Sequence, residues 1–497
     1  MSERPHLLEF LAPFRAKAGH HPWPRFVVTP ETWRDLGTAL AEGHLDLLAL
    51  FANDQLVNAV LYEPETQALA LASITAYGGH FPSLGALHPP ALRLERAIRD
   101  LWGLHPEGSP DSRPWLDHGT WPSSRPEAKA PYHFLPVEGE SLHQIPVGPI
   151  HAGIIEPGHF RFTASGETVV RLEQRLGYVH KGIERLLEGV DPAHGVRLAG
   201  RVSGDSTVAF AFAFARAVEA ATGTEPPERA VWLRALMAEL ERLANHIGDI
   251  GAICNDAAYA LIHAHCGILR EEILQAADAC FGHRLMMDRI VPGGVAIDLD
   301  AAGAERLRGL VRSLRARMAE IAAHYEDLPS LQDRTVGTGR VDVGLARRWA
   351  AGGYVGRASG RAFDVRKALP YPPYDRLTFT IPVRQEGDVN ARVWIRLDEI
   401  GESLGLVEQI LDGLPQGPLA VPVRPCAGEG IGLVEGFRGD VLVWLALAAD
   451  GRIRRCHPRD PSWFQWPLLE AAIEGNIVAD FPLCNKSFNG SYAGHDL

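Results

Sequence analysis

Residues 207–223 read TVAFAFAFARAVEAATG, and this stretch decides the fold class. Phe210, Phe212 and Phe214 alternate with alanine as in a β-strand, but the alanine content and the length favour a buried helix that ends at Gly223. Further long helical patterns follow it at 227–255, 257–282 and 300–325. The middle of the chain is therefore predicted to be mainly helical.

Strand-like segments surround this helical part. We expect short strands with intervening turn residues, typical of a small α/β domain, at 45–51, 56–62 and 68–74. Two more β-like segments are expected at 150–155 and 159–163, followed by a helix pair within 167–188. Beyond Pro370 the pattern returns to mixed α/β.

A proline- and glycine-rich stretch separates the two parts. Residues 105–133, HPEGSPDSRPWLDHGTWPSSRPEAKAPYH, show no periodicity that could build a packed element and indicate an extended connector. We predict an α+β protein with three sections. They are a small N-terminal α/β domain over 1–120, a linker over 121–142 and a large, mainly helical domain with a mixed α/β C-terminal part over 143–497.

The composition excludes several classes of function. The 497 residues include 49 lysines and arginines against 61 aspartates and glutamates, a net charge of −12 without a basic run, so nucleic acid is not expected as a partner. The N-terminus lacks the apolar core of a secretory signal, and no apolar stretch reaches the length of about 20 residues that a membrane helix needs. We therefore expect a cytoplasmic chain whose membrane association, if any, is peripheral.

Several clusters could carry chemistry. His180 and Glu184 are four residues apart on an expected helix and could share a metal ion, although a buried hydrogen-bonded pair fits the same spacing. Glu239, Arg242 and His246 recur on one face of a later helix, where an interhelical ion pair is favoured over catalysis.

Two further stretches are ambiguous. The glycine-rich residues 428–432 lack the G-x-G-x-x-G pattern, so nucleotide binding is not expected there. The segment with Arg357, Asp364 and Arg366 is either a buried polar network or a solvated loop. The six cysteines form no C-x-x-C pair, which indicates reduced core residues.

Six segments in order carry a resemblance to a known family. They are GPIHAGIIEPGHFRF (148–162), GYVHKGIERLLEG (177–189), ELERLANHIGDIGA (239–252), FGHRLMMDRIVPGGV (281–295), RASGRAFDVRKALPY (357–371) and GEGIGLVEGFRGD (428–440). They resemble the large subunit of energy-converting, membrane-bound nickel–iron hydrogenases of the formate hydrogenlyase type, and also the related quinone-site large subunit of respiratory complex I. Residues 81–116 are similar to the hydrophilic complex I subunit that docks on the large one.

In the hydrogenases, four cysteines of R-x-C-G-x-C and D-P-C-x-x-C motifs hold the nickel–iron centre. The first motif here is RVSGDS (201–206), with Ser203 and Ser206 in place of the cysteines. The second is NGSYAG (489–494), with Ser491 and Gly494 in place of the cysteines. Since serine is a hard, largely protonated ligand and glycine offers none, we expect no metal site in this chain.

The resemblance also implies a cavity lined by residues near these motifs. Glu156 matches a family glutamate that relays protons; together with Arg201 and Asp205 it is expected to take part in catalysis. Two structural roles fit Glu156 as well, namely capping the adjacent helix or pairing with Arg201. In complex I a histidine and a tyrosine hold the quinone, whereas residues 156–158 contain no such histidine here and Gly204 stands where the tyrosine would be. Residues expected to bind a quinone-like cofactor in the vestigial cavity are His180, Glu184, Ser203, Ser206, Arg357, Asp364 and Ser491.

The expected function is a subunit of a complex-I-like oxidoreductase that couples electron transfer, from NADH or a related donor to quinone or a related acceptor, to ion translocation. Its partners would be an iron–sulfur small subunit holding a 4Fe-4S cluster and antiporter-like membrane subunits, at the cytoplasmic face of the inner membrane. The alternative is a non-catalytic adaptor that conveys conformational change. An active nickel–iron hydrogenase is a third hypothesis, which the four missing cysteines disfavour.

Overall fold

The computed structural model describes residues 5–497. The N-terminal part and the connector contain these elements in chain order: α1 (Leu7–Leu11), β1 (His20–His21), β2 (Arg25–Val27), α2 (Pro30–Ala41), β3 (Asp46–Asn53), β4 (Leu56–Glu63), β5 (Ala68–Thr75), β6 (His80–Pro82), α3 (Leu92–Trp102), β7 (His105–Glu107) and α4 (Pro126–Lys129).

The large C-terminal part begins with strands and continues mainly with helices. Its elements up to the last hairpin are β8 (Leu142–Val147), β9 (His159–Ser165), β10 (Thr168–Arg175), α5 (Ile183–Leu187), α6 (Pro192–Ala199), α7 (Thr207–Thr222), α8 (Glu228–Asp256), α9 (Ala260–Phe281), β11 (Ile290–Val291), β12 (Gly294–Val295), α10 (Ala301–Glu326), α11 (Pro329–Thr335), α12 (Val343–Arg348), α13 (Gly353–Ala358), α14 (Val365–Ala368) and α15 (Val389–Gly413). The chain closes with β13 (Gly428–Gly436), β14 (Gly439–Leu447), β15 (Ile453–Arg459), α16 (Ser462–Ile473), α17 (Phe481–Phe488) and α18 (Tyr492–Asp496).

The N-terminal part is a four-stranded sheet in the order β2-β5-β4-β3, with β2 parallel to β5 and the other pairs antiparallel. The strands predicted at 45–51, 56–62 and 68–74 are confirmed as β3, β4 and β5. Strand β1 of the N-terminal part lies outside this sheet. It pairs in parallel with β13 in a second sheet, whose order is β1-β13-β14-β15. The two parts of the chain therefore share backbone hydrogen bonds.

Helix α7 confirms the interpretation of the opening stretch. Phe210, Phe212 and Phe214 are all buried, because α7 lies between the helical layer and the sheet and has no solvent-facing side along this run. Gly223 ends the helix in the left-handed conformation. The expected α+β class, with a mainly helical middle built from α7 to α10, is confirmed.

The glycine-rich residues 428–432 are a strand packed closely against α7. A Cβ added at Gly430 or Gly432 would lie 1.9 or 2.0 Å from the carbonyl oxygens of Ala217 and Ala213. The glycines are thus required for the close approach of helix and strand, since any larger residue would push α7 off the sheet.

Two local predictions are wrong. Residues 150–155 are a loop instead of a strand, and the strand before it is β8. The expected helix pair within 167–188 is mostly β10, which forms a hairpin with β9, and only α5 is helical. The consecutive Thr168, Val169 and Val170 favour the extended backbone, and Gly166 supplies the left-handed turn residue.

The connector is mostly irregular but tied to both parts. Arg96 of α3 binds the Tyr132 hydroxyl at 2.9 Å, and the amide of Leu135 donates to Glu173 of β10 at 2.7 Å. The domain boundaries at 120 and 142 stay a prediction. Along residues 5–497, no helix combines the length and the apolar character needed to cross a bilayer.

Candidate functional site

A cavity of about 490 Å³ lies where α17 and α18 meet the 150–157 loop and the segment before α7. Its walls combine apolar, hydroxyl, amide and charged side chains. They are Ile154, Ile155, Glu156, Ser203, Gly204, Asp205, Asp256, Arg438, Pro482, Asn485, Lys486, Asn489, Gly490, Ser491, Tyr492 and Ala493. The volume is that of a site for a small organic molecule.

An arginine–aspartate pair forms the floor of the cavity. Arg438, in the turn between β13 and β14, donates from both terminal nitrogens to Asp205, at 2.6 and 2.5 Å. Its Nε binds the carbonyl oxygen of Asn489, and Nη1 also reaches the Ser206 hydroxyl at 3.1 Å. Burial by itself would raise the pKa of Asp205, but the guanidinium beside it lowers that pKa below the usual value, so Asp205 is ionised at neutral pH.

Two of the three serine hydroxyls at the positions of the missing cysteines contact each other. Ser203 Oγ is 2.8 Å from Ser491 Oγ, although 288 residues separate the two along the chain. Ser203 also donates to Asp205 at 2.9 Å, and Ser491 accepts from the amide of Gly494 at 2.9 Å as the N-cap of α18. These hydroxyls are therefore engaged with one another and with the protein.

The fourth position of the former metal motif has no room for a side chain. A Cβ added at Gly494 would lie 2.4 Å from Asp460 Oδ2 and 2.9 Å from Ser491 Oγ. Asp460 is buried, and its Oδ1 accepts from the amide of Ser462 at 2.8 Å. A nickel–iron centre needs four soft thiolates, whereas these four positions offer three hard hydroxyls and a glycine without a side chain, so the donor set does not fit such a centre.

Glu156 lies at the opposite wall. Its Oε2 accepts from the amide of Ala493 at 2.9 Å, so the carboxylate caps the first turn of α18. Helix capping was one of the two structural roles that fit this residue, the other being a pair with Arg201. Arg201 instead forms a bidentate pair with Asp288, at 2.7 and 2.9 Å, with 44% of its side chain exposed.

The remaining wall groups can donate hydrogen bonds to a ligand. Burial raises the pKa of Tyr492 to about 12, so its hydroxyl keeps its proton at neutral pH. Lys486 and Asn485 lie on the same helix, α17. Among the wall residues, three carboxylates, of Glu156, Asp205 and Asp256, face two cations, Arg438 and Lys486. A neutral polar molecule fits this charge balance better than an anion.

Four of the ten residues expected at the cavity line it: Glu156, Asp205, Ser203 and Ser491. Ser206 lies directly behind the floor through its bond to Arg438. The other five expected residues lie outside the cavity walls: Arg201, His180, Glu184, Arg357 and Asp364.

His180 and Glu184 do not share a face, because α5 begins only at Ile183 and His180 precedes it. His180 Nδ1 is 2.7 Å from the carbonyl oxygen of Asp496, whereas Glu184 is bonded to Arg455 and His457 at 2.8 and 2.5 Å. Burial opposes ionisation of Glu184, but Arg455 and His457 lower its pKa to about 2. The two residues therefore do not form the hydrogen-bonded pair that their spacing also allowed, since each bonds different partners.

Arg357 and Asp364 belong to a sealed network. The Arg357 guanidinium bonds Glu399 at 2.6 Å and Glu435 at 2.9 Å, and it has no exposed surface. Of the two interpretations of this segment, the buried polar network is correct. His246 joins it through Glu399 at 2.7 Å. On the same helix face Glu239 pairs with Arg366 at 3.0 Å and Arg242 lies 3.7 Å from Glu399, so the ion-pair interpretation of this face is correct as well.

Sequence reasoning missed Arg438, Lys486, Asn489 and Tyr492. Arg438 lies within the quoted segment 428–440, and its place in a Gly-Phe-Arg-Gly turn between two strands was the available signal. The other three lie around the second serine motif, where no spacing to one another or to Glu156 marks them as wall residues.

Comparisons with known proteins match three consecutive regions of the chain. Residues 21–131 match the family "Respiratory-chain NADH dehydrogenase, 30 Kd subunit", residues 181–248 match "Nickel-dependent hydrogenase" and residues 262–426 match "Respiratory-chain NADH dehydrogenase, 49 Kd subunit".

Similar proteins combine the same regions. Formate hydrogenlyase subunit 5 of Escherichia coli is 31% identical over 436 residues, which cover 84% of this chain and 77% of the relative. The C/D subunit of the NADH-quinone oxidoreductase of Bacteroides fragilis is 28% identical and matches 80% of this chain and 82% of its own length.

A solved structure is also similar to this chain in fold. A chain of the archaeal membrane-bound sulfane sulfur reductase, a respiratory membrane complex, superposes with a TM-score of 0.68 at 27% identity, covering 73% of this chain and all of that chain. The chain belongs to the family of large subunits shared by membrane-bound hydrogenases of the formate hydrogenlyase type and respiratory NADH dehydrogenases, with the 30 kDa and 49 kDa domains fused in one polypeptide.

Proposed function

We propose that this chain is the cavity-bearing subunit of a membrane-associated oxidoreductase that couples electron transfer to ion translocation without a nickel–iron centre. The observation that carries the proposal is the cavity itself, which lies between the two serine motifs and is floored by Arg438 and Asp205. The relatives include subunits of a formate hydrogenlyase and of NADH-quinone oxidoreductases.

The electron acceptor proposed for the cavity is a neutral, quinone-like molecule. The excess of one carboxylate over the cations in the walls disfavours an anion. Tyr492, which keeps its proton, and the ammonium group of Lys486 are the donors available to carbonyl oxygens that gain negative charge on reduction. Asp205 stays ionised beside Arg438 and orients it. Glu156 and Asp256 are the other two wall carboxylates, and we assign proton exchange with the acceptor to them.

Electrons would reach the cavity from a partner, because nothing in the described part of the chain groups three or more metal-ligating side chains. The proposed partner is an iron–sulfur small subunit with a 4Fe-4S cluster. The cavity opens beside the 150–157 loop, on which Ile150 and Ile154 are 78% and 100% exposed. With Ile155, which is 41% exposed, the loop presents three exposed apolar side chains, and such a group suits a protein contact. Antiporter-like membrane subunits would hold the complex at the cytoplasmic face of the inner membrane.

The test is to purify the complex through a tag on this chain, extracted from membranes in mild detergent. Nickel and iron are then assayed, bound quinone is extracted with organic solvent, and quinone reduction is measured. We expect iron without nickel, and quinone reduction that falls about tenfold or more in Y492F, in line with the loss of one donor to a developing charge. Stoichiometric nickel, or full activity with no quinone recovered, would contradict the proposal.

The second candidate is a structural adaptor without electron transfer through its own cavity. The observation in its favour is that Ser203, Ser491, Asp205 and Arg438 satisfy one another within the protein. The variants D205N and E156Q separate the two candidates, because an adaptor keeps its ion-coupled activity in both, whereas a redox cavity loses activity in at least one. R201A, in a pair outside the cavity, is the matched control.

A further inference from the structure

A second cluster of titratable groups lies behind the cavity and plays no part in the function proposed above. It is a network of residues that are at most 3% exposed, and five segments of the large domain contribute them. Its members are Glu239, Arg242 and His246 of α8, Arg357 of α13, Asp364 and Arg366 at the start of α14, Glu399 of α15 and Glu435 of β13.

Arg357 is the centre of this Arg357 network. It bonds Glu399 at 2.6 Å and Glu435 at 2.9 Å, and Asp364 lies 3.6 Å away. Arg366 links Asp364 at 2.7 Å to Glu239 at 3.0 Å. The remaining links are Arg242 to Glu239 at 3.4 Å, Arg242 to Glu399 at 3.7 Å and His246 to Glu399 at 2.7 Å.

The charges of the Arg357 network do not balance. Four carboxyl groups face three guanidinium groups and one imidazole, so full ionisation with a neutral imidazole leaves one buried negative charge. The neighbouring arginines Arg459 and Arg396 do not supply the missing cation, because Arg459 is paired with Asp440 and Arg396 is paired with Asp249. An unpaired buried charge costs several kcal/mol, and binding one proton removes that cost.

The geometry distinguishes the two groups that could carry the proton. Protonating His246 would place a second N–H at Nδ1, which is buried and has no hydrogen-bond partner in the described structure. The groups facing His246 are Glu399, Arg242, Arg396 and the ring of Tyr354. Burial lowers the pKa of His246, although its bond to Glu399 opposes that shift.

Glu435 fits the proton better. Its two oxygens accept from Arg357 Nη1 and from the amide of Val365 at 3.1 Å, bonds that a protonated carboxyl can keep. Burial, and next the nearby Asp364, raise the pKa of Glu435 to about 7, against the opposing effect of Arg357. The groups that face it are Arg357, Asp364, Arg242, Asp440 and the hydroxyl of Tyr371, which accepts from its amide.

We propose that the Arg357 network is a proton-binding site that holds one exchangeable proton on Glu435. Glu435 precedes Arg438 of the cavity floor by three residues in the β13–β14 hairpin, so one hairpin carries both the proton site and part of the floor. The site follows from the count of charges and from burial, and it exists whether or not the cavity binds an electron acceptor.

Infrared difference spectroscopy of the full chain between pH 5 and 9 tests the proposal. A buried protonated carboxyl gives a C=O band that shifts in D₂O and disappears on ionisation. We expect one such band to disappear near neutral pH in the wild type and to be absent from E435Q. The E435Q variant should also release about one proton fewer over this range, as the loss of one titrating group requires.

Two variants separate the proposal from other buried acids. Glu241 is also buried, and burial raises its pKa to about 8, but it caps α7 outside the Arg357 network, so E241Q should lose a different band. D364N leaves three carboxyl groups against three guanidinium groups, and Glu435 should then ionise with its band lost at neutral pH. An E435Q or D364N spectrum identical to that of the wild type would overturn the proposal.

Discussion

The cavity floor and the Arg357 network are both built around an arginine, but they differ in access to water and in charge balance. At the floor, one guanidinium meets one carboxylate, and 35% of the Asp205 side chain is exposed. In the network, none of the surface of Arg357 is exposed, and carboxyl groups outnumber guanidinium groups. Because only the floor is accessible, a ligand can approach the floor but not the network, and the network can exchange little more than a proton.

The largest expected effect comes from breaking the sealed network. R357A leaves Glu399 and Glu435 without their central cation, and we expect a loss of about 3–5 kcal/mol in the free energy of unfolding, as for other broken buried ion pairs. Urea denaturation of the full chain measures it. R201A, which removes a largely exposed pair, should cost less than about 1 kcal/mol; equal losses in the two variants would refute the contrast.

Breaking the floor should cost less. R438A leaves the Asp205 carboxylate without its cation, but this carboxylate is still accessible to water. We therefore expect the free energy of unfolding to fall by about 2 kcal/mol, within the range for hydrogen bonds to charged groups. Arg438 lowers the pKa of Asp205, so its contribution is present above the unfolded pKa and is lost as the pH falls through the folded pKa. Unfolding curves of R438A and the wild type should therefore converge in acid, and a constant difference would contradict this assignment.

Restoring the four cysteines sharpens the description of the floor. The variant S203C/S206C/S491C/G494C should be destabilised by about 1–3 kcal/mol, because a side chain at Gly494 meets Asp460 in an already packed site. Elemental analysis after growth with added nickel should find no nickel. The triple variant without G494C is the matched control and should be more stable; a stable, nickel-loaded quadruple variant would show that the site can be regained.

The smallest expected effect is at the cavity wall. E156A removes the carboxylate that caps α18, with an expected cost of about 1 kcal/mol, typical of a lost helix cap. Thermal unfolding of the full chain measures this cost. E156Q keeps an oxygen acceptor for the amide of Ala493 and should recover most of the stability, whereas equal losses in both variants would mean that the charge matters more than the cap.

The helical middle was predictable because long periodic patterns such as 227–255 carry their own signal, and α8 begins and ends within one residue of that range. The hairpin of β9 and β10 was not predictable, because Leu172 and Leu176 are four residues apart, as on a helix face, and the pairing with β9 is not visible locally. The local pattern also misled at His180. Its four-residue spacing to Glu184 predicted a shared helix face, but the backbone at His180 is not helical.

The family, the fusion of its two parts and the absence of all four cysteines could be predicted from the sequence alone, because they are properties of residue identity and order. The contacts between polar residues became visible only in the folded chain. Ser203 and Ser491 touch across 288 positions, and Arg357 gathers carboxylates from separate elements, whereas Arg201 turns away to Asp288. Such contacts depend on how helices and strands pack around a shared core, and this packing brings together residues that no local spacing relates.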